Sequence, residues 1–183
     1  KTRGGLLDNG ELDCVIASFT VTDERKKSWN FTQQYRLEPV TFMVSKDSGA
    51  KTLADMDGFV IGVGQGTTTA ELIEQYAKDK GIDVNYEVQD FQYISDGVAA
   101  LKTGQIDAYS VDRTGLIAYM DDSMMLTEDA FGVQDIGIAL KLGNDELTKF
   151  MDDTLTELKE SGRLDELKAK WGILTDEEVA AMQ

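Results

Sequence analysis

Short apolar runs alternate along the chain with segments whose apolar residues recur at helical spacing. The apolar runs predict six strands, at 12–19, 39–45, 59–64, 84–90, 106–111 and 136–142. The helical spacing lies between and after these runs, at 68–81, 95–104, 112–120, 144–162 and 163–172. Strand–helix alternation of this kind predicts an α/β fold with largely parallel sheets.

The ends of two helices carry specific signals. The longest predicted helix ends at Gly162, and five apolar residues fall on one of its faces: Leu147, Phe150, Met151, Leu155 and Leu158. Near the end of the chain, Thr175 and Glu178 have the spacing of a capping box, which predicts one more short helix.

A weak internal repeat joins two distant parts of the chain. The segments 7–13 and 101–107 share the pattern Leu-x-x-Gly-x-(Leu/Ile)-Asp. Each predicts a helix end, a glycine cap and then a strand. Two similar halves indicate two similar lobes, with ligand groups at matching strand ends. Chance similarity is the alternative, because glycine caps are common at helix–strand junctions.

Composition excludes several function classes. Lys and Arg number 18 and Asp and Glu 34, a net charge of −16, which argues against nucleic acid and against an anionic membrane surface as partners. The absence of histidine removes His-activated nucleophiles and His-ligated zinc. Cys14 is the single cysteine, so no intramolecular disulfide can form, and we expect a buried thiol and no metal or cofactor.

A glycine-rich turn runs directly into a predicted helix at "GVGQGTTTAELIEQY", residues 62–76. Free backbone N–H groups at such a helix start can bind an anion. The loop has no lysine where a phosphate-binding loop would carry Gly-Lys-Ser/Thr, so the anion is left open at this point.

Four segments together resemble one protein family: "GLLDNGELDCVIASFTVTDERKKSWNF", "TLADMDGFVIGVGQGTT", "GVAALKTGQIDAYSVDRTGLIAYM" and "SGRLDELKAKWG". In this order, from Thr2 to Gly172, they are similar to family 3 extracellular solute-binding proteins, the receptors of polar amino-acid ABC transporters. The resemblance implies an extracytoplasmic location, removal of a signal peptide, a permease as partner and a free amino acid as ligand.

The resemblance also implies a periplasmic-binding-protein-like fold of two α/β lobes joined by a two-segment hinge. Residues 1–45 and 134–183 would form the first lobe, and residues 46–133 the second. We expect no single sheet to run through both "VIASF" and "FVIGV". Segments that precede Lys1 in the family would complete the first lobe, so we expect an incomplete lobe, weakened binding and a segment-swapped dimer.

Ligand contacts follow from the resemblance, residue by residue. In the family an arginine matching Arg25 and a threonine matching Thr68 bind the ligand α-carboxylate, with the backbone approaching closely at Gly66. An aspartate matching Asp112 binds the α-ammonium group, and Ser18 and Thr20 offer oxygens. Helix capping is the alternative for three of these positions: in the "TDER" segment, in a Thr68–Glu71 capping box, and at Asp112.

The resemblance favours an acidic ligand. Arg3 and Lys46 match positions that are basic in aspartate- and glutamate-binding members, and two extra cations suit a side-chain carboxylate. Ile136 stands where aspartate binders carry an aromatic residue, which argues against this ligand. Two alternatives remain: the sensor domain of a receptor, and a dehydratase-like enzyme that would need an acid from Glu24, Glu38 or Glu87.

Overall fold

The structure is a computed structural model that describes residues 3–182. The chain divides into two compact units. One unit contains the residues up to Glu38 together with Gln134–Met182, and the other contains Pro39–Val133. The chain passes from one unit to the other twice, within strand β2 (Trp29–Ser45) and within strand β7 (Phe131–Lys141).

The discontinuous unit, which we call unit 1, combines a short antiparallel pairing with several helices. Its further elements are α1 (Arg3–Asp8), β1 (Cys14–Val15), α2 (Asp23–Lys26), α6 (Asp145–Glu160), α7 (Arg163–Lys170) and α8 (Asp176–Ala180). Strand β1 pairs with β7, with Cys14 opposite Leu140. One apolar cluster surrounds Phe19, and a second joins Leu140 to Leu155 of α6.

The continuous unit, unit 2, is a sheet with helices packed on both faces. Its further elements are β3 (Phe59–Gly64), α3 (Thr69–Lys80), β4 (Tyr86–Phe91), α4 (Ile94–Lys102), β5 (Ala108–Asp112), α5 (Arg113–Ile117) and β6 (Met124–Leu126). Phe42 and Met43 are neighbours on β2 and belong to different apolar clusters. The run 39–45 is therefore apolar without alternation because both faces of this strand are buried.

Strand pairing corrects two expectations. Strands β1, β7, β2, β5, β3 and β4 form one continuous path, so a single sheet does include both β1 and β3. The path is continuous because β2 is 17 residues long and its second half, in unit 2, pairs with β5 and β6. The pairing is also mixed: β3 is parallel to β4 and β5, whereas β1–β7, β2–β5 and β2–β6 are antiparallel.

The local signals of the internal repeat are confirmed. Gly10 and Gly104 both have φ of +72°, and each follows a helix and precedes a strand. The amide of each glycine donates to the carbonyl of the leucine three residues earlier, at 3.1 Å. The capping box between Thr175 and Glu178 is also present, at the start of α8.

Two other expectations were wrong in part. The strand expected at 12–19 is regular only at Cys14–Val15, where the cysteine is half-buried rather than buried. Leu155 is buried on the expected face of α6, whereas Phe150 is 63% exposed. No helix within residues 3–182 is both long and apolar enough to cross a membrane.

Candidate functional site

The segment that follows β1 contains three of the predicted site residues, Ser18, Thr20 and Arg25. Thr20 forms an isolated antiparallel bridge with Ile136, and the Val21 amide donates to the Asp135 carbonyl at 2.8 Å. Two backbone contacts thus dock this otherwise irregular segment against β7.

Two predicted ligand-binding arginines lie close to the ring of Phe19. The ring is 4% exposed and packs against Trp29 and Phe31, with ring centroids 5.4 and 5.5 Å away. The guanidinium carbons of Arg3 and Arg25 lie 4.7 and 4.8 Å from its centroid. A cation over an aromatic face is attracted by the ring quadrupole, so one ring helps to place two positive charges.

Arg25 makes both local and tertiary contacts. Its backbone amide donates to the Thr22 hydroxyl at 3.2 Å, the capping bond that begins α2. Its Nη1 donates to the Thr20 carbonyl at 2.8 Å. The capping alternative therefore describes the backbone of Arg25, while the guanidinium is directed back to the Thr20 segment.

Ser18 and Thr20 have hydrogen-bond partners of opposite kind. The Ser18 hydroxyl accepts a bond from Arg36 Nη2 at 2.6 Å. The Thr20 hydroxyl donates to Gln134 Oε1 at 2.6 Å. Both side chains are half-buried, so their oxygens are held by protein groups rather than by bulk water alone.

The sequence patterns did not predict an ion pair between Arg36 and Glu38, although Glu38 was named as a candidate acid. They form a buried ion pair two residues apart on β2, with exposed fractions of 6% and 1%. Tyr35 beside them donates from its hydroxyl to the Ala17 carbonyl at 3.2 Å, and burial raises the pKa of Tyr35. The i, i+2 spacing of opposite charges on a strand was the available signal, since such residues share a face.

In unit 2 the glycine-rich loop connects β3 to α3. Gly66 has φ of +70°, a conformation that favours glycine. The Thr67 hydroxyl donates to the Gly64 carbonyl at 2.8 Å and accepts from the Thr69 amide at 3.4 Å. Thr68 occupies the N-cap position of α3 without a side-chain capping bond, so the expected Thr68–Glu71 capping box does not form.

Asp112 ends β5 and stands at the N-cap position of α5. It lies opposite Val40 of β2 and is half-buried, and its side chain makes no capping bond to α5. Strands β3 and β5 are parallel, with Val63 opposite Ser110. The loop of Gly66 and Thr68 and the Asp112 carboxylate therefore leave the sheet at the same edge, where ligands of parallel sheets bind.

Lys46 lies apart from these groups in the fold. It is exposed in a 3₁₀ turn (Lys46–Ser48) that follows β2, and its amide donates to the Ser123 carbonyl at 2.9 Å. Ile136, which was counted against an acidic ligand, is fully buried.

The candidate catalytic acids have ordinary structural surroundings. Glu24 is exposed and paired with Lys27, Glu87 is exposed on β4, and Glu38 is paired with Arg36. Among residues 3–182, no group of three or more acidic or cysteine side chains could hold a metal ion. A cavity of about 340 Å³ beside α7 and α8, lined by Lys159, Lys168 and Asp176 among others, contains none of the predicted site residues.

Comparison with known proteins identifies the family. The model of the bacterial extracellular solute-binding proteins, family 3, matches residues 2–173. The chain is 35% identical over 170 residues, 90% of its length, to the L-cystine-binding protein of Escherichia coli (strain K12). It is 32% identical over 174 residues, 93% of its length, to the ABC transporter glutamine-binding protein of Bacillus subtilis (strain 168). The chain spans 62% of the length of each of these curated relatives.

A solved structure supports the same relationship. An ancestral arginine-binding protein bound to arginine superposes with a TM-score of 0.78 and 31% identity, covering 93% of this chain and 76% of that one. The similarity thus extends over both units in sequence and in fold. The chain belongs to the bacterial extracellular solute-binding proteins, family 3.

Proposed function

We propose that the chain binds a free polar amino acid outside the cytoplasmic membrane and delivers it to the permease of an ABC transporter. Membership of the family supports this proposal, and so do relatives that are named for cystine and glutamine binding. Glu38, the buried candidate acid, is paired with Arg36, which favours binding over acid catalysis. A segment-swapped dimer is not part of the proposal.

The placement of Arg25 is the observation that carries the proposal. Its guanidinium donates to the Thr20 carbonyl and lies over the face of the Phe19 ring. A guanidinium presents parallel donors that match a carboxylate. Arg25 is therefore assigned to the ligand α-carboxylate.

Unit 2 supplies the other polar groups of the proposal. The backbone of the Gly66–Thr68 loop would donate to the same carboxylate, and Asp112 would accept from the α-ammonium group. Assignment of these roles rests on the family motifs and on the shared sheet edge of the loop and Asp112.

A finer proposal concerns the charge of the ligand side chain. The guanidinium carbons of Arg3 and Arg25 lie 4.7 and 4.8 Å from the centroid of the Phe19 ring. The two positive charges are therefore close to each other. Two cations this close suit a ligand with two carboxylates, which favours aspartate or glutamate. The names of the relatives, which refer to cystine, glutamine and arginine, are the competing indication.

Calorimetric titration with the twenty amino acids tests both proposals. We expect aspartate or glutamate to bind more tightly than glutamine, and all three more tightly than lysine or arginine. Arg25→Ala should lose about 2–5 kcal/mol of binding free energy, because a desolvated carboxylate loses its partner.

Arg163→Ala is the matched control. Arg163 is an exposed arginine of unit 1 that pairs only weakly, with Glu166 across the surface of α7, so its removal should leave affinity unchanged. Equal affinity in the Arg25 and Arg163 variants would remove the carboxylate assignment. Tightest binding of a cationic amino acid would remove the acidic preference and leave the amino-acid proposal standing.

A further inference from the structure

The segment Ala17–Thr20 is fixed by side chains from three other parts of unit 1. Tyr35 donates to its first carbonyl, Arg36 to its serine hydroxyl, and Arg25 to its last carbonyl. Gln134 accepts from the Thr20 hydroxyl. Because the segment has almost no regular secondary structure, these contacts determine where its polar atoms point.

Arg36 is the buried member of this set. It contacts Glu38 through Nη1 and Ser18 through Nη2, and both charged residues are almost fully buried. A buried guanidinium without a counter-charge would be strongly disfavoured, so Glu38 is what allows Arg36 to remain at this position. The planar fork of arginine lets one side chain serve a carboxylate and a hydroxyl at once.

The hydrogen bond from Arg36 restricts where the Ser18 hydroxyl can direct its proton. A serine hydroxyl has one donor and two acceptor sites, and arginine has no acceptor. With Arg36 donating to its oxygen, Ser18 must direct its own proton to another acceptor. Thr20 differs, because its proton goes to the Gln134 side-chain oxygen.

We infer that Arg36, neutralised by Glu38, is a positioning residue that holds Ser18 as a hydrogen-bond donor to a carboxylate oxygen of the ligand. This inference rests on the proposed binding of a free amino acid. It adds a role for the Ser18 proton to the expectation that Ser18 and Thr20 both offer oxygens to the α-ammonium group.

The test uses a variant that removes the pair without leaving a buried charge. Replacing a buried ion pair by apolar residues of similar volume is often neutral for stability, so Arg36→Met combined with Glu38→Leu should fold. We expect this double variant to bind L-glutamate and L-glutamine at least tenfold more weakly than the wild-type protein. Lys168→Met with Asp176→Leu, which removes another ion pair of unit 1, is the matched control and should change affinity less than twofold.

Ser18 variants separate positioning from a merely structural role. Ser18→Ala should weaken binding about tenfold in the wild-type protein and add little in the double variant, because the two changes remove the same interaction. Ser18→Thr keeps the hydroxyl and should keep most of the affinity. A structural role would lower the urea midpoint without this distinction between alanine and threonine.

Each outcome decides the inference. Wild-type-like affinity in the Arg36/Glu38 double variant overturns it, and so do additive losses from Ser18→Ala in both backgrounds. Either result leaves the proposed function intact, because the wild-type protein would still bind amino acids. Failure of the wild-type protein to bind any of the twenty amino acids would overturn the proposed function and this inference together.

Discussion

The two units hold their candidate ligand groups by different means. In unit 1 the segment from Ser18 to Arg25 is held by buried or stacked side chains, chiefly Arg36 and Phe19. In unit 2 the groups lie at the ends of parallel strands, where backbone geometry at Gly66 and the start of α3 places them. The first arrangement depends on contacts distant in sequence, and the second on local conformation.

This difference predicts which kind of mutation should destabilise each unit. Loss of a large side chain should damage the candidate segment of unit 1. Addition of a single carbon where chain segments pack closely should damage unit 2. The first two of the four predictions below test this contrast, the other two examine the core of unit 2, and all four run from the largest expected effect to the smallest.

Phe19→Ala should have the largest effect. The buried ring packs against Trp29 and Phe31, and Arg3 and Arg25 lie close to it, so its loss leaves a cavity and frees both cations. We expect about 4 kcal/mol of lost unfolding free energy, measured by urea denaturation, as for other buried phenylalanines. Tyr93→Ala is the control, since Tyr93 is 60% exposed in unit 2. Equal losses in the two variants would contradict the central role given to Phe19.

Gly97→Ala should be the most damaging of the small changes in unit 2. A Cβ at Gly97 of α4 would lie 2.2 Å from the buried ring of Tyr109, so ring or helix must shift, at about 3 kcal/mol. Gly5→Ala in α1 is the matched helical control, because nothing lies within 4 Å of its Cβ position. Alanine there should stabilise the helix by up to about 1 kcal/mol. Chemical denaturation measures the free energy of unfolding of both variants. Equal values would show that α4 can shift away from Tyr109 at little cost in free energy.

The hydroxyls of Tyr76, which is half-buried, and of Tyr109, which is buried, should respond differently to removal. Tyr76 donates to Asp129 at 2.7 Å, whereas the Tyr109 hydroxyl is buried with no hydrogen-bond partner among the described residues. Tyr76→Phe should cost about 1–2 kcal/mol, because Asp129 loses a donor, and Tyr109→Phe should be neutral or stabilising. Thermal melts of both variants measure this. A stability loss at Tyr109 equal to that at Tyr76 would argue that its hydroxyl has a partner.

The same two tyrosines predict a modest loss of stability at alkaline pH. Burial, first of all, raises the pKa of Tyr76 and of Tyr109 to about 12, and in Tyr76 the bond to Asp129 adds to the effect. An unfolded tyrosine ionises near pH 10, so the folded state binds more protons above that pH. The contribution of these two tyrosines to the free energy of unfolding is complete below pH 10 and is lost as the pH rises towards 12. Melting temperatures between pH 9 and 11 should fall less steeply in a Tyr76→Phe, Tyr109→Phe protein, and identical slopes would contradict the assignment.

The elements that carry the candidate loop of unit 2 could be predicted from sequence because their signals are local. The apolar run of β3, the glycine-rich turn and the apolar spacing of α3 occupy one continuous stretch, and the structure places the elements within a few residues of the predicted bounds. Similarly, the repeated Leu-x-x-Gly pattern gave the conformation of Gly10 and Gly104, because a helix that ends on a glycine needs no distant partner.

The first half of β2 could not be predicted in this way. Its residues are polar where a strand signal needs apolar ones, because groups of α6 satisfy them. The Gln33 side-chain amide donates to the Asp152 carbonyl at 3.0 Å, and Lys159 donates to the Gln33 side-chain oxygen at 2.8 Å. More than one hundred residues separate these partners in sequence, so no local pattern reveals them. The Arg36–Glu38 pair has a local i, i+2 spacing, but the contact of Arg36 with Ser18 does not follow from that spacing.

The two tryptophans differ enough to make the protein its own optical probe. Trp29 contacts the Phe19 ring and donates to Asp8 at 2.9 Å, whereas Trp171 is 71% exposed at the end of α7. Emission from Trp171 should be red-shifted and open to aqueous quenchers, and emission from Trp29 should be bluer and shielded. A Trp171→Phe protein would therefore have a single emitter beside the ring that carries Arg3 and Arg25, so occupancy near those guanidiniums could be read by fluorescence without any attached dye.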